Sequence, residues 1–275
     1  MKNEECILSA SAKKMFLQMH FNFIGIDWMM MIKKNIFNVF ALLLFSSVQA
    51  ADMSYTVSNY KGYLGKYPVH LSLQYYHFGN NVNVKGSYYY DAYKTPLPLY
   101  GVHAGDSLSL CEVTNKNDFE KFIVQGERFD VTKCPFVLVK KPSGLVGFWK
   151  NSKYKWTVNL ESTIELLDGM LSNNNENLEV PYWGGTKKHM FIGVYEKNSN
   201  GIAINKINVI EKNSGKIIQT INPNLNDCQF GFFMTTIFQN IETYNDGILL
   251  NCYSTGADVS VIYGFNKHRL IYSIK

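Results

Sequence analysis

Residues 81–101, NVNVKGSYYYDAYKTPLPLYG, decide the fold. Val82, Val84, Tyr88 and Tyr90 recur at every second or fourth position, while Ser87 and Tyr89 take the opposite phase. That is the pattern of a strand whose two faces meet different surroundings. Leu97 and Leu99 resume the alternation after a break rich in turn formers. Tyr88 and Tyr90 are therefore expected to fill the inside of a β-structure. Tyr89, Tyr93 and Tyr100 are expected to stay free to meet a partner.

The same period continues on both sides. HLSLQYY (70–76) places Leu71, Leu73 and Tyr75 on one face, SLSLCE (107–112) Leu108 and Leu110, and KWTVNL (155–160) Trp156, Val158 and Leu160. His70 falls out of phase with Leu71 and Leu73 and reads as a surface histidine. Turn residues at 79–81, 103–106, 143–144 and 151–152 separate the runs, with no helical pattern between them. Short strands so spaced predict a small antiparallel barrel or sandwich over residues 51–161. Closing that sheet would also remove exposed strand edges.

The alternation stops at residues 162–188. Ser162 and Glu165 stand at capping-box spacing and predict one helical turn. An asparagine-rich run and Gly184-Gly185 follow, so this segment is expected to be a connector. Residues 189–275 are again β-rich. HMFIGVYEK, IAINKINVIEK and KIIQTI predict a three-stranded meander, and FGFFMTTIF, GILLNCYS, DVSVIYGF and LIYSI further strands. The fold class is all-β: a barrel-like domain followed by a second antiparallel β domain.

Residues 31–50, MIKKNIFNVFALLLFSSVQA, read as a signal peptide. Lys33 and Lys34 form the positive start, an apolar run follows, and Val48-Gln49-Ala50 supplies the cleavage pattern. The apolar run is too short for a permanent membrane anchor. Residues 1–30, with Glu4, Glu5 and Asp27, do not belong to that pattern and are expected to be an over-long start. Translation then begins at Met29, Met30 or Met31. Losing the leader's five lysines and three acids lowers the formal charge from +5 to +3. So mild and dispersed a charge argues against nucleic acid as a partner. Export places the protein in the periplasm or outside the cell, where Cys111, Cys134, Cys228 and Cys252 are expected to be bridged. Three pairings are possible, and proximity favours Cys111–Cys134 with Cys228–Cys252.

Catalytic signatures are absent. The chain has no G-x-S-x-G elbow, no phosphate loop, no H-E-x-x-H and no paired C-x-x-C. Tyr244-Asn245-Asp246-Gly247 offers too few oxygens for calcium and reads as a hairpin turn. Neither a metal nor a cofactor is expected. Asp91 and Glu112 are the acidic candidates for a site, and an acid–base pair would require the fold to bring them together.

In order of appearance, Gly62–Gly65, Gly86-x-Tyr88-x-Tyr90, Leu99-x-Gly101, Leu108-x-Leu110-x-Glu112 and Gly147-x-Trp149 form a recurring pattern. Across residues 60–151 it resembles a small β-rich domain of secreted and envelope-associated proteins of Gram-negative bacteria. The second half, through SGKIIQTI and the turn at Tyr244–Gly247, is similar to an envelope-protein module. Some neighbouring domain combinations resemble lysozyme-inhibitor-type proteins. The resemblance implies a fold and a compartment rather than a reaction. The expected function is a non-catalytic binding protein of inhibitor or immunity type with a protein partner in the cell envelope. The alternatives are a carbohydrate- or small-ligand-binding barrel and a hydrolase of unrecognised type. The candidate binding residues are Tyr89, Tyr93, Tyr100, Asp91 and Glu112.

Overall fold

The computed structural model describes residues 55–77, 81–167, 177–198, 201–223, 236–245, 247–252 and 259–275. The expected over-long start and signal peptide, Cys228 and the turns at Gly79-Asn80 and Asn200 lie outside those residues.

Eight strands pair antiparallel in chain order: β1 (Tyr55–Leu64), β2 (Tyr67–Tyr76), β3 (Val84–Tyr90), β4 (Leu97–Ala104), β5 (Ser107–Glu112), β6 (Phe136–Lys141), β7 (Gly144–Lys150) and β8 (Lys155–Leu167). β8 returns to β1, and the barrel closes. The alternation read from the sequence sets its inside. Tyr60, Leu64, Leu71, Leu73, Val84, Tyr88, Leu99, Leu108, Leu110, Leu138, Leu145, Val158 and Leu160 pack into one buried cluster. The barrel is filled by side chains rather than hollow.

Two further sheets follow. One has the order β12 (Ile217–Ile221), β11 (Gly201–Glu211), β10 (His189–Asn198), β9 (Leu178–Gly185). The other runs β13 (Ile241–Tyr244), β14 (Gly247–Cys252), β15 (Val259–Asn266), β16 (Ile271–Ile274). The expected meander is β10–β11–β12. Tyr244 pairs with Gly247 across the expected hairpin turn. The described end of FGFFMTTIF, however, enters a 3-10 turn at Ile237–Gln239 rather than a strand.

The expected connector is largely strand. Its start continues β8 to Leu167, and its end is β9; residues 168–176 lie outside the described set. Ser162 and Glu165 do not cap a helix, because pairing with β1 and burial of Leu166 outweigh a local signal of about 1 kcal/mol. A bulge also intervenes. Asn59 pairs with Ile164 and Tyr60 with Ser162, which leaves Thr163 as an extra residue. The inward phase therefore passes from Trp156, Val158 and Leu160 to Glu165, and Leu166 turns outward.

Outside the barrel, Tyr55, Val57, Tyr76 and Leu166 join Val180, Tyr182, Phe191, Tyr195, Phe238 and Leu250 in a second core. Residues Ala51–Lys275 accordingly form one compact unit. Trp183 of β9 ties the pieces together. Its Nε1 donates to the Gly86 carbonyl at 2.7 Å, and its ring meets Phe119 and Phe238.

Between β5 and β6 an α-helical turn, Lys116–Asp118, runs into a π-helical stretch, Phe119–Val124. The Cys111–Cys134 disulfide closes this excursion, as expected from proximity. A loop of that length contributes about 3 kcal/mol through the unfolded state. Cys252 is also disulfide-bonded.

Under the excursion lies Lys85, 7% exposed, whose Nζ donates to the Ile123 carbonyl at 3.0 Å and faces the Tyr76 ring. Burial lowers its pKa to about 8. A lysine depressed in the folded state weakens folding while both states are protonated, and that penalty lifts as pH rises past the folded pKa. Wild type should thus gain about 1 kcal/mol relative to Lys85→Met between about pH 7 and about pH 9. Paired urea unfolding curves measure this, since the tyrosine titrations common to both proteins cancel. A constant difference across that range would show that Lys85 is not desolvated.

Candidate functional site

The β1–β2, β3–β4, β5–β6 and β7–β8 connections all lie at one end of the barrel, and aromatic side chains gather there. Tyr154 stacks on Trp156 at 5.7 Å and Trp156 on Trp149 at 5.0 Å between ring centroids. Tyr67 contacts Trp156 at 5.7 Å and Tyr90 at 6.1 Å; Tyr90 continues to Tyr93 at 6.3 Å and inward to Tyr88 at 5.7 Å. These edge-on and offset contacts are the favourable ones for rings. Tyr67, Tyr93 and Tyr154 are 41%, 71% and 56% exposed, so the outer part of the chain of rings faces solvent.

Local backbone chemistry allows this crowding. Gly65 opens the β1–β2 turn at φ 60°, in the left-handed region that favours glycine, and a Cβ there would sit 3.3 Å from the Trp156 ring.

Glu112, at the end of β5, lies beneath the rings. Its Oε1 accepts from the Tyr88 hydroxyl at 2.6 Å and from Trp149 Nε1 at 3.0 Å. Burial, the Glu112 carboxylate and its hydrogen bond push the Tyr88 hydroxyl far above its ordinary pKa. The carboxylate thus holds two rings in fixed orientations. The opposite end is polar: Lys140 Nζ pairs with Glu165 Oε2 at 3.1 Å and lies over the Tyr75 ring, and Ser58 Oγ donates to the same carboxylate at 2.7 Å. Burial alone would raise the Glu165 pKa, but the Ser58 and Lys140 hydrogen bonds hold it below the usual range.

The candidate binding residues separate. Tyr93 is exposed on the rim and Glu112 anchors it. Tyr89 does point out of the barrel, as its phase requires, but it is not free. Met190 and Ile192 of β10 cover it, its ring stacks on His70 at 4.9 Å, and only 9% of it is exposed. Burial, then the Asp91 and Glu179 carboxylates, raise its pKa. Tyr100 is likewise buried, against Phe122 at 5.0 Å and Phe129 at 4.9 Å in the disulfide-closed excursion. Burial and Asp118 push its hydroxyl up to about 12. Both tyrosines face outward onto protein rather than water, so neither is free on the surface.

Asp91 pairs with His70, Nε2 to Oδ1 at 3.0 Å, so His70 is a partly exposed bridging residue. Asp91 and Glu112 engage different partners and form no acid–base pair. Among the described residues no group of His, Cys, Asp and Glu is arranged to hold a metal. The rim residues Tyr67, Tyr154, Trp149 and Trp156 were not singled out as binding residues from the sequence. Their signal was position: each is at, or within two residues of, a strand end beside a turn at this end of the barrel.

The chain matches no protein-family model, no curated protein and no solved structure. Its function is therefore read from its own geometry.

Replacing Glu112 by leucine should lower stability by about 2–3 kcal/mol, because the Tyr88 hydroxyl and the Trp149 N–H lose their shared acceptor. Glu112→Gln keeps an acceptor oxygen and should lose less than half of that. Urea denaturation monitored by tryptophan fluorescence compares them, and equal losses would rule out the orienting role.

Proposed function

We propose that this chain is a non-catalytic, exported binding protein whose partner is a protein of the cell envelope, held at the aromatic end of the barrel. The continuous row of rings from Tyr154 to Tyr93 carries this reading. Tyrosine and tryptophan bury a large area with few rotors and keep a polar tip, which suits them to the centre of protein interfaces. The filled interior supports a surface contact over an enclosed ligand. An adjoining strip supports a protein over a smaller partner. Val137 pairs with Phe148 and Val139 with Val146 across β6 and β7, and all four side chains lie exposed on the barrel's outer face. An exposed apolar patch of that kind marks an interaction surface.

Export is supported by the Cys111–Cys134 disulfide, which forms and persists in an oxidising compartment. No helix of the described residues is long and apolar enough to cross a membrane. The barrel's apolar inside is the reverse of the polar lumen of transmembrane barrels.

A second reading, glycan binding, is favoured by the near-parallel stack of Trp149 on Trp156 beside the Glu112 carboxylate. Affinity capture from an envelope extract separates the two. Tyr67→Ala/Tyr93→Ala/Tyr154→Ala should reduce recovery of a stoichiometric protein partner about tenfold or more at an unchanged unfolding midpoint. Tyr89→Ala should instead lower the midpoint. Capture indifferent to the triple substitution refutes the proposal, and binding of wild type to a glycan array without protein capture would replace it with the second reading.

A further inference from the structure

Far along the chain from the barrel's aromatic end, three hairpin turns converge around a concavity. They are the β9–β10 turn with Gly185, Thr186, Lys187, Lys188 and His189, the β13–β14 turn with Thr243 and Asn245, and the β15–β16 turn with Phe265, Lys267, Leu270 and Tyr272. The cleft between them measures about 660 Å³, the size of a site for a small organic ligand.

Lys187, Lys188 and Lys267 line the cleft, and no carboxylate does so among the described residues. Its walls are aromatic: Phe265 and Tyr272 pack at 4.9 Å, and both contact the His189 ring. The parts are held in place. His189 Nδ1 and the Tyr272 hydroxyl share a hydrogen bond at 2.9 Å, and Thr243 Oγ1 donates to the Gly185 carbonyl at 2.7 Å, which ties the first turn to the second. The backbone adds an independent indication. Asn245 and Leu270 line this cleft at φ 49° and 56°, in the left-handed region. Asparagine tolerates that conformation, but leucine does not favour it. Leu270 is nonetheless 64% exposed, so no burial in the protein offsets the strain. Strained positions of this kind cluster at ligand clamps.

We propose that this cleft binds a small organic anion, a carboxylate, phosphate or sulfonate carried on a planar apolar group. The lysines would take the charge, while Phe265 and Leu270 would take the ring above the buried Tyr272. This site is separate from the barrel's aromatic end, and its occupancy does not depend on the protein partner proposed there. Burial keeps His189 below its ordinary pKa against the opposing pull of Glu211, with Lys188 and Lys212 adding to the lowering. A neutral imidazole there can accept or donate a hydrogen bond, according to tautomer, without adding charge.

The probe for a test is 8-anilinonaphthalene-1-sulfonate, a sulfonate on a planar naphthalene ring whose fluorescence rises on binding, titrated into the protein. Binding should be saturable and weaken several-fold between about 50 mM and about 500 mM sodium chloride. Lys187→Gln/Lys188→Gln/Lys267→Gln should weaken it tenfold or more, and Phe265→Ala several-fold, with near-UV circular dichroism confirming the fold. Phenyl phosphate should displace the probe at lower concentration than inorganic phosphate does. Unchanged affinity in the triple variant overturns the proposal. So does a loss on Phe148→Ser, which would place the probe on the barrel strip instead. Equal competition by the two phosphates would overturn the part assigned to the apolar walls.

Discussion

The structure depends on one strand doing two jobs. β1 closes the barrel by pairing with β2 on one side and β8 on the other, across about a hundred residues of chain. Its inward side chains, Tyr60 and Leu64, belong to the barrel core, while outward Tyr55 and Val57 belong to the core beneath the two open sheets. Neither core is complete without it. Because the pairing with β8 is non-local, its loop-closure entropy is spent before most contacts can form, which makes closure the slow element of such a topology.

Closure also decides where chemistry can occur. A barrel packed solid with leucine, valine and tyrosine has no chamber, so recognition is confined to its two ends and its outer wall. Much of that wall is already occupied. β9 and β10 cover β3, and the disulfide-closed excursion covers part of β4. Among the described residues, the aromatic end and the strip on β6 and β7 stay open. The rings stay ordered at that end because a part-buried carboxylate fixes two of them from below, so the surface is held in shape.

Much of this was legible in the residues. Period-two alternation placed Tyr88 inside and Tyr89 outside, because side-chain phase is a local property of a strand. Whether outside means water is a tertiary matter, and there the reading failed: Tyr89 meets β10, and Tyr100 meets Phe122 and Phe129. A cue for the second was present, since an apolar group of Phe119, Phe122, Ile123 and Phe129 between two bridged cysteines needs a surface to cover. The segment containing Trp183 read as a connector for a related reason. Its asparagines and glycines are local signals, whereas the hydrogen bond to Gly86 and the contacts with Phe119 and Phe238 come from elements far apart in sequence. The lysine-lined cleft was equally hidden, because its three cations come from two turns nearly eighty residues apart.

The extra residue at Thr163 makes β8 behave like text with a reading frame. Ahead of it the even positions are read into the barrel, and behind it the odd ones, so the same strand serves the barrel core with Leu160 and the other core with Leu166. Substitutions along this strand change single letters. A one-residue insertion or deletion would shift the register and exchange the surroundings of Glu165 and Leu166, burying a charge where an apolar side chain belongs. In this strand, length is under tighter constraint than composition.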